Sequence, residues 1–458
     1  MVENRIWCFA PWYNIHFHTI SNTISVAPCC FYGPYFLILK SMPKTEEQVT
    51  QIYNSNEFIE LRKRLLTGRV SGTPCEYCYE RLLNDVRWGI SPQMGKEVPK
   101  FSFNSSRKYI SFHAHANDNY QTGEIVLKHP PLSYYFFLSH QCNLRCIMCS
   151  QNHNDSSSVP IASVIELLSN QGFDKIDQIG LIGGEPFFSK DGLELVHYLA
   201  NKELFGANVY ITTNGTRLKY EIQSLLSLKN LKLTISVDGG DKQTYEFIRR
   251  GESWEDIVEN LRILTRKDIY NPDWEILINC CVMKSNICHL DKLIDLAHDL
   301  GFNIVFSAIS GVELKTENII LYSYLLDDLD WEICFKNALE KAKSFGMDKT
   351  TVYLKLLFKL LTSPLKITRK MMIDFWEYGW KSNKDIAYDQ LGKIYLAKLN
   401  VNNQLMDIQS IEKLMFPGKW RVMLLIRLQI LKRTLVRTFP IVKKIKTIVI
   451  RITSFWRG

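Results

Sequence analysis

Six apolar runs of strand character recur between helical patterns in the middle of the chain, and this alternation restricts the fold more than any other feature. The runs lie at Tyr134–Leu138, Ile176–Ile182, Val209–Thr213, Leu231–Val237, Ile276–Val282 and Ile304–Ala308. Apolar residues at helical spacing fill Ile161–Leu168, Gly192–Leu199, Lys219–Leu228, Trp254–Leu264 and Leu290–Leu300. Strands separated by helices in units of roughly 30 residues imply parallel βαβ architecture. Six such units predict either a doubly wound sheet or an open barrel. In both, ligands belong at the C-terminal ends of the strands.

The rest of the chain is organised around this core. With 458 residues, 46% hydrophobic and 22% charged, the composition is that of a globular protein. Residues 1–100 are rich in Trp, Tyr, Pro and Cys and read as short strands, turns and a helix near Phe58–Leu66. A linker is expected over 101–130, the α/β core over 131–310, and a helical extension, interrupted by Pro364, over 311–414. A basic apolar tail occupies 415–458. Residues 413–458 hold 12 Lys or Arg and no acid, so the net charge of +9 belongs to this end and the body is near neutral. No domain-wide basic surface argues for nucleic acid. Pro440 divides the tail, and Arg421, Arg427, Lys432, Arg433 and Arg437 spread around the helical wheel without leaving a clean apolar face. A membrane surface, an acidic partner and a solvated tail stay open as readings of it. The start, MVENRIWCFAPWYN, does not read as a signal peptide, and no apolar run reaches about 18 residues. A cytoplasmic setting, peripheral to a membrane at most, is therefore expected. In a reducing compartment, clustered cysteines usually mean metal rather than disulfides.

The densest chemical signal follows the first core strand: Gln141-Cys142-Asn143-Leu144-Arg145-Cys146-Ile147-Met148-Cys149. Three thiolates at Cys-x3-Cys-x2-Cys spacing can wrap one metal centre, and soft thiolates suit iron–sulfur clusters or zinc. A cubane held by three thiolates keeps its fourth iron open. Structural zinc needs a fourth ligand, for which His140 and His153 are near in sequence.

This pattern resembles the radical S-adenosylmethionine (SAM) enzymes, over about residues 130–310. The resemblance implies that Cys142, Cys146 and Cys149 hold a [4Fe–4S] cluster whose open iron is chelated by S-adenosyl-L-methionine. Further motifs of that family arrive in order. Gly183-Gly184-Glu185-Pro186 ends the second strand. Its glycines let backbone approach a ligand, Glu185 offers an acceptor to an ammonium group, and in the family the motif binds the methionyl amino group. Asn214, in Thr212-Thr213-Asn214-Gly215-Thr216, is implied as a contact to the cluster surroundings or the ribose. Ser236 and Arg249 match the family's ribose and carboxylate contacts, Arg249 fitting the spacing better than Arg250. Asp238 could equally cap a helix. Asn279 on the fifth strand is a candidate for the pocket lining, whereas Cys280, Cys281, Cys288 and Cys334 read as core residues. Many relatives carry an aromatic residue before the third cluster cysteine. Here Met148 stands there, and a thioether can also pack on adenine.

A second cysteine group, Cys8, Cys29, Cys30, Cys75 and Cys78, lies near the N-terminus. Ile15–His18 and Ile24–Val26 alternate around a Ser21-Asn22-Thr23 turn, so Cys8 and Cys29/Cys30 flank a hairpin, and Cys75 to Cys78 form a knuckle. Such an arrangement can supply four thiolates to one metal, zinc or iron–sulfur. It resembles the twitch domain, a short auxiliary-cluster domain of radical SAM enzymes, through Cys8-Phe9-Ala10-Pro11-Trp12, Pro28-Cys29-Cys30, Leu61-Arg62 and Leu66-Thr67-Gly68. The turn lacks the usual Gly. The resemblance implies an auxiliary [4Fe–4S] cluster held by Cys8, Cys29, Cys75 and Cys78, with Cys30 the alternative to Cys29. His16 and His18 read as structural.

The combined expectation is an α/β protein. It has a partial (β/α)6 barrel of the radical SAM type, a small N-terminal Cys-rich α+β domain and a helical C-terminal extension. The implied activity is reductive cleavage of S-adenosylmethionine to a 5′-deoxyadenosyl radical and hydrogen abstraction from a substrate that the sequence does not identify. A peptide is favoured and a sugar conjugate is open. A one-electron reductant protein would be a partner. The competing expectation is a non-enzymatic zinc-binding adaptor, or a membrane-surface interaction protein, using the same cysteines structurally.

Overall fold

The computed structural model describes residues 8–75 and 118–362, apart from short breaks at 9, 21, 31, 33–35, 71–72, 150, 152, 154, 310–315 and 320–322. Cys78, the polar stretch before residue 118, the extension beyond 362 and the basic tail lie outside the described residues.

Nine strands form one sheet: β1 (Asn14–Ile20), β2 (Thr23–Ala27), β3 (Leu37–Leu39), β4 (Ser133–Phe137), β5 (Gln178–Ile182), β6 (Asn208–Thr213), β7 (Leu231–Ser236), β8 (Glu275–Val282) and β9 (Asn303–Ala308). Their order is β3-β2-β1-β4-β5-β6-β7-β8-β9. From β4 to β9 every neighbour is parallel and follows in chain order. Right-handed crossovers that always step the same way place their helices on one face and curl the sheet. Of the two architectures that the alternation allowed, the chain therefore takes the partial barrel. The crossover helices are α4 (Ile161–Gln171), α5 (Lys190–Ala200), α6 (Leu218–Leu226), α7 (Lys242–Ile248) with α8 (Trp254–Ile263), and α9 (Leu290–Asp299). They follow the N-terminal α1 (Ala10–Tyr13), α2 (Glu46–Tyr53) and α3 (Asn56–Thr67).

Alternation along the strands sorts the two faces. Tyr134, Phe136, Ile179, Leu181, Val209, Ile211, Leu233 and Ile235 are fully buried beneath the helices. The alternate residues form rows across the concave face. His16, Tyr135, Gly180, Tyr210, Lys232 and Glu275 are register partners in one row. Nearer the C-terminal ends come Ser236 beside Asn279, and Cys281 beside Ser307. This inner face is polar.

The N-terminal region is not a separate layer. Strand β1 pairs in parallel with β4, so the hairpin extends the barrel sheet at its first edge. Asn22 takes the left-handed conformation, with φ of 64°, that the missing glycine would otherwise have supplied. Helix α3 buries Phe58, Leu61, Arg62 and Leu65 on one stripe and ends at Gly68 in the αL conformation. Arg62 is completely buried. Its guanidinium donates to the carbonyls of Pro11 (2.9 Å), Tyr53 (2.8 Å) and Ile125 (2.9 Å). One side chain thus ties α1, the end of α2 and the approach to β4 together. His16 stacks on Tyr135 with ring centroids 4.4 Å apart, and His18 lies over Phe137. Burial, then the neighbouring His140, lowers the His18 pKa to about 4. Both histidines pack on the inner face.

Beyond β9, the described part of the extension is two helices, α10 (Trp331–Ser344) and α11 (Asp348–Thr362). Helix α11 covers the far edge of the sheet: Thr350 Oγ1 accepts from the Ile304 amide at 2.9 Å, and Lys349 pairs with Glu275 at 3.1 Å. A covered edge cannot recruit another strand.

Candidate cluster and cofactor site

The loop 142–149 leaves β4 at the C-terminal mouth of the barrel and is held from three sides. The first support is the turn after β5. Gly184 N donates to Ser139 O at 2.7 Å and Glu185 N donates to Gln141 O at 2.8 Å. A Cβ on Gly184 would sit 1.9 Å from Gln141 O, and one on Gly183, where φ is 134°, would sit 2.8 Å from Ser139 O. The two glycines are therefore required by the protein's own cluster loop, which the sequence reading had assigned to ligand approach. Gln151 Nε2 occupies the Gly183 carbonyl at 2.6 Å, and Pro186 is buried. The second support is the end of β6. Asn214 Nδ2 donates to Asn143 Oδ1 at 2.9 Å and reaches Cys142 Sγ at 3.7 Å, while Asn143 Nδ2 donates to Thr216 Oγ1 at 3.0 Å. The third is the end of α7. Arg145 N donates to Arg250 O at 2.9 Å and Ile147 N to Ile248 O at 3.0 Å.

Glu185 is 1% exposed and bridges two of these supports. Its carboxylate accepts from Thr213 Oγ1 (2.6 Å), Asn214 N (2.6 Å) and Phe187 N (3.1 Å). Burial pushes its pKa up to about 7 against these hydrogen bonds. Its position is that of a clamp between the β5 and β6 turns. Asp238 is not a helix cap; Asp241 caps α7 by accepting from Thr244 N. Asp238 is fully buried, with Oδ2 2.6 Å from Arg249 Nε and Oδ1 accepting from Cys281 N at 2.7 Å. Burial is the largest influence on Arg249 and opposes its charge, but Asp238, Cys146 and Tyr245 together overcome it and raise the guanidinium pKa. Arg249 also lies within electrostatic reach of Cys146 and Glu185. It is the cation that the sequence placed beside the cluster loop, here preset by Asp238.

The three loop thiols are half-buried and share one field. Burial pushes Cys146 up to about 11, with Arg249 working against it, and raises Cys142. A soft metal centre would displace those protons. Leu144 N donates to Cys142 Sγ at 3.4 Å. His140 Nε2 is taken by Thr19 O at 3.1 Å, and His153 lies beside Arg145. Among the described residues, no three His, Cys, Asp or Glu side chains are grouped to hold one metal ion. Thiolates of a cubane bind different irons and need not converge on one point, so the donor set fits a [4Fe–4S] cluster. Met148, Ser236 and Asn279 are half-buried. Ser236 and Asn279 pair in register at the ends of β7 and β8, and Val237 N donates to Asn279 O at 3.0 Å. The expected cysteine pair on β8 divides: Cys280 is buried under the helices, while Cys281 is half-buried on the inner face with Ser307.

In the N-terminal region, Cys8, Cys29 and Cys75 share a second field. Burial, then the charges of Cys8 and Cys29, raises Cys75 well above the usual thiol value. Tyr32 Oη lies 3.4 Å from Cys75 Sγ. Cys30 is exposed.

Asn143, Thr213 and Thr216, which the motifs do not single out, complete the polar lattice around Cys142. Their only signal was adjacency to the cysteine and Thr-Asn-Gly motifs.

Residues 136–297 match the model of the radical SAM superfamily. The chain is similar to the AdoMet-dependent heme synthase of Methanosarcina barkeri, at 28% identity over 184 residues, covering 39% of this chain and 50% of that protein. It is also similar to the probable GTP 3′,8-cyclase of Sulfurisphaera tokodaii, at 26% identity over 166 residues, covering 36% and 51%. It thus spans about half the length of these relatives. Among solved structures, Streptococcus suis SuiB bound to precursor peptide SuiA aligns with 62% of this chain and 61% of that chain, at 16% identity and a TM-score of 0.36. With three thiols and their supports at the barrel mouth, residues 136–297 constitute a domain of the radical SAM superfamily, which uses a [4Fe–4S] cluster and S-adenosylmethionine.

Proposed function

We propose that the protein is a radical SAM enzyme that abstracts hydrogen from a peptide substrate and carries an auxiliary [4Fe–4S] cluster in its N-terminal region. The observation that carries this reading is the loop 142–149, whose Cys146 lies in the field of Arg249 and which is clamped by the ends of β5, β6 and α7. When bound, the cluster and S-adenosylmethionine would supply a 5′-deoxyadenosyl radical. Cys142, Cys146 and Cys149 would hold the cluster. The Gly183–Pro186 turn, Asn214, Ser236, Arg249, Asn279 and Met148 would line the approach to it. Arg249, fixed through Nε by Asp238, would bind the cofactor carboxylate through its remaining donors. The polar inner face would orient the substrate, and the barrel wall would exclude water.

Cys8, Cys29 and Cys75, with Cys78, are the proposed auxiliary ligands. The shared field of Cys8, Cys29 and Cys75 favours Cys29 over the exposed Cys30. The peptide assignment rests on the resemblance of the N-terminal segment to auxiliary-cluster domains. Anaerobic reconstitution tests the whole reading. The expected product has about eight irons per chain, forms 5′-deoxyadenosine on reduction with S-adenosylmethionine, and shows a changed paramagnetic spectrum when the cofactor is added. A colourless zinc protein that forms no 5′-deoxyadenosine would overturn it.

A further inference from the structure

Two cysteines outside both metal-type groups end up side by side. Cys288 lies in the turn between β8 and α9, within the radical SAM domain. Cys334 lies in the first turn of α10, on the helical extension. Both are half-buried. Their thiols lie near enough for each to bear on the other's charge.

The surrounding packing fixes both partners. Helices α9 and α10 lie against each other. Farther along the same pair, Lys341 Nζ meets Asp295 Oδ2 at 2.7 Å and Asp291 Oδ2 at 3.6 Å. The two points of contact advance together along both helices, so the helices run side by side in one direction. Phe335, the neighbour of Cys334, is fully buried and anchors the start of α10. Ile287, the neighbour of Cys288, is fully buried as well. Two neighbouring thiols at the matching ends of packed helices, each beside a buried anchor, are placed for a disulfide to form.

We propose that Cys288 and Cys334 form a reversible disulfide that staples the helical extension to the radical SAM domain under oxidising conditions. A low-molecular-weight disulfide is the oxidant class. The thiolate of one cysteine attacks it, forming a mixed disulfide and releasing one small thiol. The second cysteine loses its proton to solvent and displaces the other small thiol. Two protein thiols are oxidised, and one external disulfide is reduced to two thiols. Burial, then the Cys334 neighbour, pushes the Cys288 thiol up to about 12, which keeps the reduced pair inert until oxidant persists. The staple closes a long chain loop and holds α10 beside α9, with α11 next in the chain on the edge at β9.

The test uses the full-length, cluster-loaded protein, kept anaerobic and incubated with glutathione disulfide or with dithiothreitol. Samples are alkylated, digested and mapped by mass spectrometry. A peptide linking Cys288 to Cys334 should appear in the oxidised sample and vanish on reduction. The oxidised protein should also unfold at a temperature higher by roughly 5 °C or more. Cys288→Ser and Cys334→Ser should each abolish both effects. Complete alkylation of both thiols after glutathione disulfide, or a glutathione adduct on either without the linked peptide, would overturn the proposal. The map of the unsubstituted protein decides even if a variant folds poorly. None of these readouts depends on radical chemistry.

Discussion

The two cysteine groups differ in how they meet the rest of the molecule. The 142–149 loop sits at the mouth of the barrel, half-open, with a buried cation beside it and supports from three strand and helix ends. The N-terminal group lies where the hairpin extends the same sheet; Cys8, Cys29 and Cys75 are half-buried too, and the Cys75 thiol is raised by burial and by the charges of Cys8 and Cys29 rather than countered by a cation. An open centre beside a preset guanidinium is arranged to accept a carboxylate-bearing ligand. Equal donor chemistry thus meets different neighbouring charge in the two groups.

The sharpest way to break this contrast is to delete one centre at a time. Cys146→Ala should remove about half of the iron and reduce 5′-deoxyadenosine formation to background. Cys75→Ala should remove a similar share of iron yet leave substrate-free 5′-deoxyadenosine formation within about threefold, as expected for separate sites. Equal loss in both variants would erase the distinction.

The next effect concerns the preset cation. Asp238→Ala leaves Arg249 buried without its partner and should destabilise the protein by about 3–5 kcal/mol in denaturant unfolding. The double substitution Asp238→Asn with Arg249→Met should recover part of that stability but not S-adenosylmethionine binding, measured by the cofactor-induced spectral change.

A smaller effect follows from Glu185. Its folded pKa of about 7 stands above the ordinary 4.5, so the folded state holds the proton more tightly than the unfolded chain. Stability from this group is therefore full below pH 4.5 and is lost as pH rises through about 7. The total is on the order of 3 kcal/mol. Glu185→Gln should flatten the change in unfolding free energy between pH 5.5 and 7.5, while adding a pH-independent cost from the mismatched amide. A variant that keeps the slope would assign it elsewhere.

The smallest expected effect is electronic. Asn214→Ala removes a donor 3.7 Å from Cys142 Sγ. The core cluster potential should fall by on the order of tens of millivolts in a redox titration, with the N-terminal cluster unchanged.

Local sequence determined the barrel strands and most of its helices, because period-two and helical spacing are written in consecutive residues. The expected Tyr134–Leu138 strand appears as Ser133–Phe137, and the Leu231–Val237 strand as Leu231–Ser236. The three loop cysteines were legible for the same reason: their spacing is short. Only tertiary structure decided that the hairpin joins the barrel sheet, because a parallel pairing of β1 with β4 links residues far apart in the chain. It alone showed that Gly183 and Gly184 make room for the backbone of Ser139–Gln141, that Glu185 is consumed by Thr213 and Asn214, and that Asp238 pins Arg249. It also separated Cys281 from Cys280, and brought Cys288 to Cys334. Backbone periodicity and motif spacing are local properties. Which polar atoms are left to bind something new depends on the contacts that the finished packing has already used.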